Sequence, residues 1–444
     1  MRRLSILLLL LFLVSCSRIS GVEVIKEGHI KEDQVQVYTI EKEQIPRDYA
    51  YVQDDNVILK DDDGSIVRRL FFQERVFVYR KRSGQVLIMD QYGNSGWVGQ
   101  EHLSKQFVSD IAIPLEGVEY GIYSVKDKPF KDYLKVKGAY ISPYGEDFAL
   151  RVVERIKDGP INTLVLDYHD DEGYVLFESK IAEKLAPGSS NLIYGDGEAF
   201  IRHLKDEGFH LIARIVAFKD PIYAAQNTDR AIRHSDGSLL IADGQYWNSP
   251  YDREVWDYLL ALSNEALELG FDEIQFDYVR FPDSFEDDML AHNEYNEGRA
   301  EAIQKFLMFI KGNINNKDAI ISADVFGWAA IELADVTIGQ QWEALSNIVD
   351  VISPMFYPAL YGRGVFDFDS PVSHPYEVLK ISIKNALERN SNIKTAALIR
   401  PWIQGWDYSL DDINLQIKAL EEAGIEEFII WDPDGNYPIE GLRQ

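Results

Sequence analysis

Short apolar runs with a period of two alternate with longer amphipathic segments from Val136 to the end of the chain. A period of two is typical of strands, and apolar residues at every third or fourth position are typical of helices. The predicted strands are 138–142, 163–168, 210–218, 273–279, 319–325, 351–355, 395–399 and 427–431. The predicted helices are 148–157, 198–207, 254–269, 294–315, 341–346, 376–390 and 410–423.

Eight strands with seven helices between them favour a (β/α)8 TIM barrel over residues 136–444. A doubly wound open sheet is the alternative that the alternation leaves open. No G-x-G-x-x-G follows the first strand, so the dinucleotide-binding version of that alternative is not supported. In a barrel the C-terminal ends of the strands carry the chemistry. Two long predicted loops, residues 219–252 and 357–374, leave the strands at that end.

The fourth predicted strand ends near a carboxylate. It lies in the run GFDEIQFDYVRFPD at 270–283, where Asp277 shares a face with Gln275 and Val279, and Pro282 closes the strand. An inward acid at a strand end costs desolvation energy unless it is used or paired. We therefore interpret Asp277 as a catalytic residue. The alternative is that Asp277 pairs with Arg280 and only holds a loop.

The same alternation test finds polar residues at other strand ends: Asp167, Arg214, Asp324 and, just past the last strand, Asp432. Asp277 and Asp324 should project inward from neighbouring strands, which lie about 4.8 Å apart. Their carboxyl groups are then expected roughly 5–7 Å apart, which overlaps the ~5–5.5 Å of retaining glycosidases without excluding inversion.

Paired carboxyl groups suit the cleavage of a glycosidic bond. One stays ionised as the nucleophile, and the other keeps its proton as the acid and later acts as a base. Arg214 and Arg280 are candidates for holding the nucleophile ionised. For each arginine, a fixed ion pair in the barrel wall is an equally good interpretation.

Aromatic residues are concentrated near the same strand ends: Trp247, Trp328, Tyr357, Trp402, Trp406 and Trp431. Each of them alone is explained by packing, but together they favour a carbohydrate groove, because flat apolar faces contact sugar rings. The predicted substrate-binding residues are Asp167, Arg214, Lys219, Trp247, Arg280, Trp328, Tyr357, Trp402 and Asp432.

Composition restricts the other classes of function. The formal net charge of −28 argues against a nucleic-acid partner, because phosphates would be repelled. Cys16 is the single cysteine, so neither an internal disulfide nor cysteine-based metal binding or thiol catalysis is expected in the body of the chain. His169, in DYHDD at 167–171, keeps a metal-dependent polysaccharide deacetylase as an alternative, although no H-E-x-x-H spacing is present. No G-x-S-x-G or Walker A pattern occurs, and we expect neither a metal nor a cofactor.

The first 15 residues read as an export signal, with Arg2 and Arg3 before an apolar run at 4–14 that is too short to span a bilayer well. The tetrapeptide LVSC at 13–16 resembles a bacterial lipoprotein lipobox. The resemblance implies cleavage before Cys16 and lipid attachment there, hence membrane anchoring. Ser17 favours the outer membrane if the host has one, and residues 16–32 are predicted to be a polar tether. We therefore expect a lipid-anchored protein of the cell envelope.

Residues 33–105 change to short β-branched and aromatic runs separated by turns, which predicts a small all-β barrel. The run VLIMDQYGNSGWVGQEHL at 86–103 resembles the closing hairpin of a bacterial Src-homology-3-like (SH3-like) domain. That resemblance implies contact with the cell wall or a protein. A passive spacer is the alternative. Residues 106–135 are predicted to be a linker.

Four runs carry a further resemblance: ARIVAFKDP at 213–221, GFDEIQFDYVRFP at 270–282, SADVFG at 322–327 and DVISPMFYP at 350–358. They resemble a bacterial family of inferred glycosyl hydrolases, TIM barrels that are distantly similar to α-amylase-type glycosidases. In amylase-like barrels the nucleophile ends strand 4 and the acid/base ends strand 5, which implies Asp277 and Asp324 in these roles. This chain has Asp instead of the usual Glu on strand 5, so Asp167, Asp283 and Asp432 stay open as substitutes for the acid.

The sequence therefore predicts a lipid-anchored glycoside hydrolase that acts on an envelope or extracellular polysaccharide, with Asp277 as nucleophile and Asp324 as acid/base. The second hypothesis, from a different class, is a non-catalytic envelope protein that binds glycan through the barrel.

Overall fold

The computed structural model describes residues 49–54, 56–70, 74–90, 94–105, 111, 113–123 and 134–443. The predicted signal peptide, Cys16 and the tether lie outside the described residues. The chain divides into two compact units, a smaller N-terminal one and a larger C-terminal one. None of the described helices is long and apolar enough to cross a membrane.

The N-terminal unit is all β. Its strands are β1 (Tyr49–Val52), β2 (Val57–Lys60), β3 (Ile66–Leu70), β4 (Arg75–Arg82), β5 (Gln85–Asp90), β6 (Ser95–Gly99) and β7 (Leu103–Ser104). They form one antiparallel sheet in the order β3-β2-β6-β5-β4-β1-β7. Inward residues such as Val52, Leu59 and Ile88 build its core. The predicted all-β region is confirmed, whereas a ligand of SH3 type stays a prediction.

The C-terminal unit is a closed parallel barrel. Its strands are β8 (Lys137–Ile141), β9 (Thr163–His169), β10 (His210–Val216), β13 (Glu273–Asp277), β14 (Ile320–Phe326), β15 (Val351–Met355), β16 (Leu398–Ile399) with β17 (Trp402–Gln404), and β18 (Phe428–Trp431). A two-stranded pair, β11 (Ile241–Ala242) and β12 (Gln245–Tyr246), lies in the loop after β10. Pairing of β18 with β8 and of β14 with β15 completes the ring, so the predicted (β/α)8 fold is confirmed and the open sheet is not formed.

Nine α-helices lie among the described residues: α1 (Glu146–Ile156), α2 (Lys180–Leu185), α3 (Gly197–Asp206), α4 (Pro221–Gln226), α5 (Arg253–Leu269), α6 (Arg299–Asn313), α7 (Trp342–Ser346), α8 (Pro375–Asn390) and α9 (Leu410–Glu422). The seven predicted helices are all present, and α2 and α4 are short additions capped by Ser179 and Asp220. Helix α6 begins later than predicted, because the Asn293 side chain accepts from the amide of Glu297 and Asn296 takes a φ of 53°, which makes a turn there.

Strand β13 also ends earlier than predicted. Tyr278 has a φ of 48°, a left-handed conformation that breaks the alternation directly after Asp277. Part of the predicted linker packs with the barrel, because the Gln304 side chain bonds both the amide and the carbonyl of Glu119, at 2.7 and 2.8 Å.

A buried ionic network lies at the opposite end of β13 from Asp277. Arg400 bonds Glu273, the first residue of β13, at 2.8 Å, and Glu427, just before β18, at 2.9 Å. Although burial alone would raise the pKa of Glu273, the Arg400 guanidinium and nearby His210 lower it to about 2. These paired charges belong to the barrel scaffold. Each partner is needed, because removing one of them would leave an uncompensated buried charge.

Candidate active site

The Arg214 guanidinium of β10 joins the carboxyl groups of Asp167 on β9 and Asp277 on β13, the two strands that flank β10. Its Nη1 donates to Asp167 at 2.6 Å, and its Nε and Nη2 both donate to Oδ2 of Asp277, at 3.0 and 2.5 Å. The parallel register explains this, because Arg214 pairs with Asp167 across β9 and β10. Burial alone would lower the pKa of Arg214, but Asp167 and Asp277 raise it, so the arginine stays charged.

Asp277 has hydrogen-bond donors on both oxygens and keeps some access to solvent. Oδ1 accepts from the amide of Tyr278 at 2.6 Å, a contact made by the left-handed turn at that residue. Its side chain is 14% exposed, whereas that of Asp167 is 2% exposed. A carboxyl group at a strand end with a charged donor and an open side suits a nucleophile.

Asp324 is the second carboxyl group of the pair. Phe276 pairs with Ala323 in the β13–β14 register, so the next step sets Asp277 beside Asp324. Oδ1 of Asp324 accepts from the indole N–H of Trp402 at 2.6 Å, while Oδ2 is buried without a hydrogen-bond partner. Burial and the nearby charge of Asp277 raise the pKa of Asp324 well above its usual range. The neighbouring carboxyl groups therefore lie in different environments, one beside a guanidinium and one without a cation in contact.

Two tyrosines complete the surroundings of these acids. The Tyr140 hydroxyl donates to Oδ2 of Asp167 at 2.7 Å. Tyr357 is 5% exposed, and burial, followed by the carboxyl groups of Asp324 and Asp277, raises its pKa well above the usual range. The Tyr357 hydroxyl is therefore an uncharged neighbour of both acids.

The predicted aromatic residues divide into three groups. Trp402 is 3% exposed and lies 6.3 Å from Tyr140 between ring centroids. Trp406 and Trp431 are half-buried, with centroids 4.8 Å apart, and both contact Tyr357, at 4.9 and 5.7 Å. Unlike Trp402, these two indoles retain accessible surface close to Tyr357, the neighbour of both acids.

The other two tryptophans lie elsewhere in the loops. Trp247 is completely buried, its indole N–H donates to the carbonyl of Ala242 at 3.0 Å, and its ring packs against Tyr278. It has no surface for a sugar. Trp328 is half-buried, in a 3-10 turn after β14 (Gly327–Ala330), with its ring centroid 5.7 Å from that of Tyr361.

Arg280 does not make the contact proposed for it. Its side chain bonds the carbonyl of Phe281 and lies within ion-pair distance of Asp283, at 3.3 Å, and of Asp243, at 3.5 Å. The left-handed turn at Tyr278 ends β13 and takes Arg280 into the loop, and among the described residues the arginine that pairs with Asp277 is Arg214. The alternative interpretation, in which Asp277 pairs with Arg280 and only holds a loop, does not describe this structure either, because the ion-pair partners of Arg280 are Asp243 and Asp283.

Lys219 bonds Asp171 at 2.9 Å and lies 4.8 Å from the ring centroid of Tyr278. This places an ion pair beside the residue that follows Asp277, with the Asp171 side chain 45% exposed. Asp171 is not among the site residues predicted from the sequence. Its signal was its position two residues after the end of β9, on the catalytic side of a barrel.

Asp432 and His169 make polar contacts within the barrel itself. Oδ1 of Asp432 accepts from the amide of Asp434 at 2.9 Å and so closes a turn. His169 is fully buried, with Nδ1 donating to the carbonyl of Val216 at 2.8 Å and Nε2 3.4 Å from Asp220. Across the described ranges, no three His, Cys, Asp or Glu side chains are grouped as ligands for a metal ion.

Known structures resemble parts of this fold. A hypothetical protein from Ruminiclostridium thermocellum ATCC 27405 is 28% identical, over 42% of this chain and 97% of its own, with a TM-score of 0.38. The α-galactosidase TtGalA from Thermus thermophilus, solved with stachyose, is 12% identical over 87% of this chain and 78% of its own, with a TM-score of 0.46. The glycoside hydrolase domain of PelA from Pseudomonas aeruginosa is 14% identical over 68% and 96%, with a TM-score of 0.40.

Similarities of this size carry no argument about the reaction, and no curated protein matches the chain. A family model does match, and it spans residues 140–437, which include the whole set of acids and aromatic residues described above. The chain belongs to the family described as "Putative glycosyl hydrolase domain".

Proposed function

We propose that the protein hydrolyses glycosidic bonds of a cell-envelope or extracellular polysaccharide with retention of configuration. The observation that carries the proposal is the contrast between Asp277 and Asp324. Asp277 is bonded to the Arg214 guanidinium, whereas Asp324 is buried beside that negative charge and favours its protonated form. Two neighbouring carboxyl groups in opposite protonation states are what a retaining glycosidase needs.

The two groups then have different roles. Asp277 attacks the anomeric carbon, and the bond from that carbon to the glycosidic oxygen breaks as Asp324 delivers its proton to this oxygen. Asp324, now ionised, takes a proton from water, and the hydroxide oxygen displaces Asp277 from the sugar. Arg214 orients the nucleophile by donating two N–H groups to Oδ2 of Asp277, and Asp167, itself held by Tyr140, fixes the guanidinium in its orientation.

The aromatic pair Trp406 and Trp431 provides the accessible apolar faces for a sugar ring near this site. Lys219 and Asp171 provide polar contacts next to Tyr278, the residue that follows Asp277. Lipid attachment at Cys16 and wall contact through the N-terminal β unit would hold the barrel at an envelope polymer. Both of these rest on the sequence motifs at 13–16 and 86–103.

One feature favours the second candidate, a glycan-binding barrel without catalysis. Oδ2 of Asp324 is buried, so it has no surface for a glycosidic oxygen to contact. In the hydrolase, the side chains around Asp324 must separate when the polymer enters. In a binding protein, the side chains around Asp324 would stay packed against it.

The test is product analysis with a panel of bacterial envelope and capsular polysaccharides. We expect soluble oligosaccharides from one polymer class with the wild-type protein and none with Asp277→Asn, although that variant retains binding. Binding without products in both proteins would instead establish the non-catalytic candidate. Full activity of Asp277→Asn would remove the assignment of the nucleophile.

A further inference from the structure

Trp402 lies too deep to serve as the sugar platform that its residue type suggests, since it is 3% exposed. It begins β17, where it pairs with Met355 on one side and Ile429 on the other. Asp324 belongs to β14, on the far side of β15. Inward side chains of alternate barrel strands share a layer, which lets the long indole reach across to this acid.

The direction of this hydrogen bond determines where a proton on Asp324 can reside. An indole N–H only donates, so the oxygen it contacts must supply a lone pair. That oxygen is Oδ1, 2.6 Å from Nε1, and the carbonyl-type oxygen of a neutral carboxyl group is the better acceptor. Oδ2 is buried without a hydrogen-bond partner, whereas Oδ1 has the bond from Trp402. A buried oxygen left without a partner is uncommon, and a catalytic role is one explanation of it.

We propose that Trp402 is a positioning residue of the glycosidase site: its indole N–H holds Oδ1 of Asp324 as the accepting oxygen and so keeps the transferable proton on Oδ2. This inference rests on the proposed function. When the proton passes from Oδ2 to the glycosidic oxygen and the C–O bond breaks, the electron pair of that bond stays on the departing sugar oxygen. Asp324 becomes a buried anion, and Trp402 is then its donor.

The same geometry gives the sign of the effect on titration. Donation from Trp402 stabilises the ionised form of Asp324, and it opposes burial and Asp277, which both raise the pKa of this acid. Removing the donor therefore raises the pKa of Asp324 further. A substitution that only loosened the packing is not expected to move the high-pH limb of the kcat/KM profile to higher pH.

The test compares Trp402→Phe with replacement of the Trp402 indole by its benzothiophene isostere, which removes the N–H and keeps the shape. We expect kcat to fall roughly 10- to 100-fold, the factor for one hydrogen bond to a charged group, with KM changed by less than about three-fold because Trp402 does not contact the sugar. The high-pH limb of kcat/KM should move to higher pH. Trp342→Phe is the matched control, because Trp342 is fully buried and donates to Asn390 at 2.8 Å outside this site.

A second readout does not need activity. The infrared carbonyl stretch of the protonated Asp324 carboxyl, identified by its loss in Asp324→Asn, should move to higher frequency in both Trp402 variants and not in Trp342→Phe. An unchanged band and an unchanged high-pH limb would overturn the inference. Failure of the proposed function has a different signature, since the wild-type protein would then cleave no polymer, while the infrared band would still report on the contact between Trp402 and Asp324.

Discussion

Arg214 donates two of its N–H groups to a single oxygen of Asp277, at 3.0 and 2.5 Å, and a third to Asp167. The guanidinium thus holds together two carboxylates that would otherwise repel each other. A planar fork with five donors can do this, and a lysine ammonium, which is a point charge on a flexible stem, cannot do it with the same geometry. The orientation of the Asp277 carboxyl group depends on this contact.

Arg214→Lys should therefore lower kcat/KM by about 100-fold, a loss of ~2.7 kcal/mol of transition-state stabilisation. The charge is conserved, so the loss would report on the paired geometry. Steady-state kinetics on the cleaved polymer would measure it. Arg230→Lys is the control, because Arg230 pairs with Asp252 at 3.1 Å away from the acids, and its kcat/KM should stay within about two-fold of wild type. Equal losses in both variants would contradict the role of Arg214.

Asp324→Asn should stabilise the protein more at pH 7 than at pH 4, relative to wild type. Burial and Asp277 raise the pKa of folded Asp324 well above its usual range, whereas unfolded Asp titrates near 3.9. The folded state then binds the extra proton, so its stability falls as pH rises from about 4 through the folded pKa. Asparagine removes this penalty.

Urea denaturation of both proteins at both pH values measures the difference. We expect the free energy of unfolding of Asp324→Asn, relative to wild type, to rise by on the order of 1 kcal/mol or more between pH 4 and pH 7. A relative stability that does not change with pH would mean that Asp324 is ionised in the folded protein at neutral pH. The same variant should lose hydrolysis.

Arg400→Met should destabilise the barrel by roughly 3–5 kcal/mol, because it leaves Glu273 and Glu427 buried without their cation. In the wild type, the contribution of Glu273 is present above about pH 4.5 and is lost as pH falls towards its folded pKa of about 2. Arg363→Met is the control, since Arg363 and Asp369 form a pair with 82% and 89% exposed side chains. Chemical denaturation should show a change of less than ~1 kcal/mol for that pair. Similar losses in both variants would contradict the scaffold role of Arg400.

Trp406→Ala should raise KM about ten-fold and leave kcat within a few-fold, since the half-buried indole is proposed to supply sugar contact and no proton transfer. Tyr144→Ala is the control: Tyr144 is 65% exposed and packs against Phe148 of α1. Binding of the uncleaved polymer to the Asp277→Asn background would separate affinity from turnover. An unchanged KM would show that the groove runs elsewhere.

Alternation along the strands was enough to find the residues that meet at the barrel end. Asp167, Arg214, Asp277 and Asp324 all lie on inward faces, because a period of two determines the face at each position of a regular strand. The fold followed from the same pattern, since eight apolar runs separated by amphipathic helices close as a parallel barrel.

What the pattern could not predict depends on backbone turns and side-chain direction. Arg280 follows the left-handed residue Tyr278, where alternation no longer applies, and it pairs in the loop instead of with Asp277. Trp247 and Trp402 were both assigned to a sugar groove from their residue type, but each is buried and uses its N–H as a donor. Only the tertiary structure sets those directions.

Covalent trapping of Asp277 tests the central claim most directly. A 2-deoxy-2-fluoro glycoside of the sugar that the polysaccharide panel identifies should form a glycosyl-enzyme that hydrolyses slowly. Mass spectrometry of the digested protein should then place one sugar on the peptide that contains Asp277, and no label should form in Asp277→Asn. A label on any other carboxylate, or rapid cleavage of the parent substrate without a trapped sugar, would contradict the assignment of Asp277 as the nucleophile.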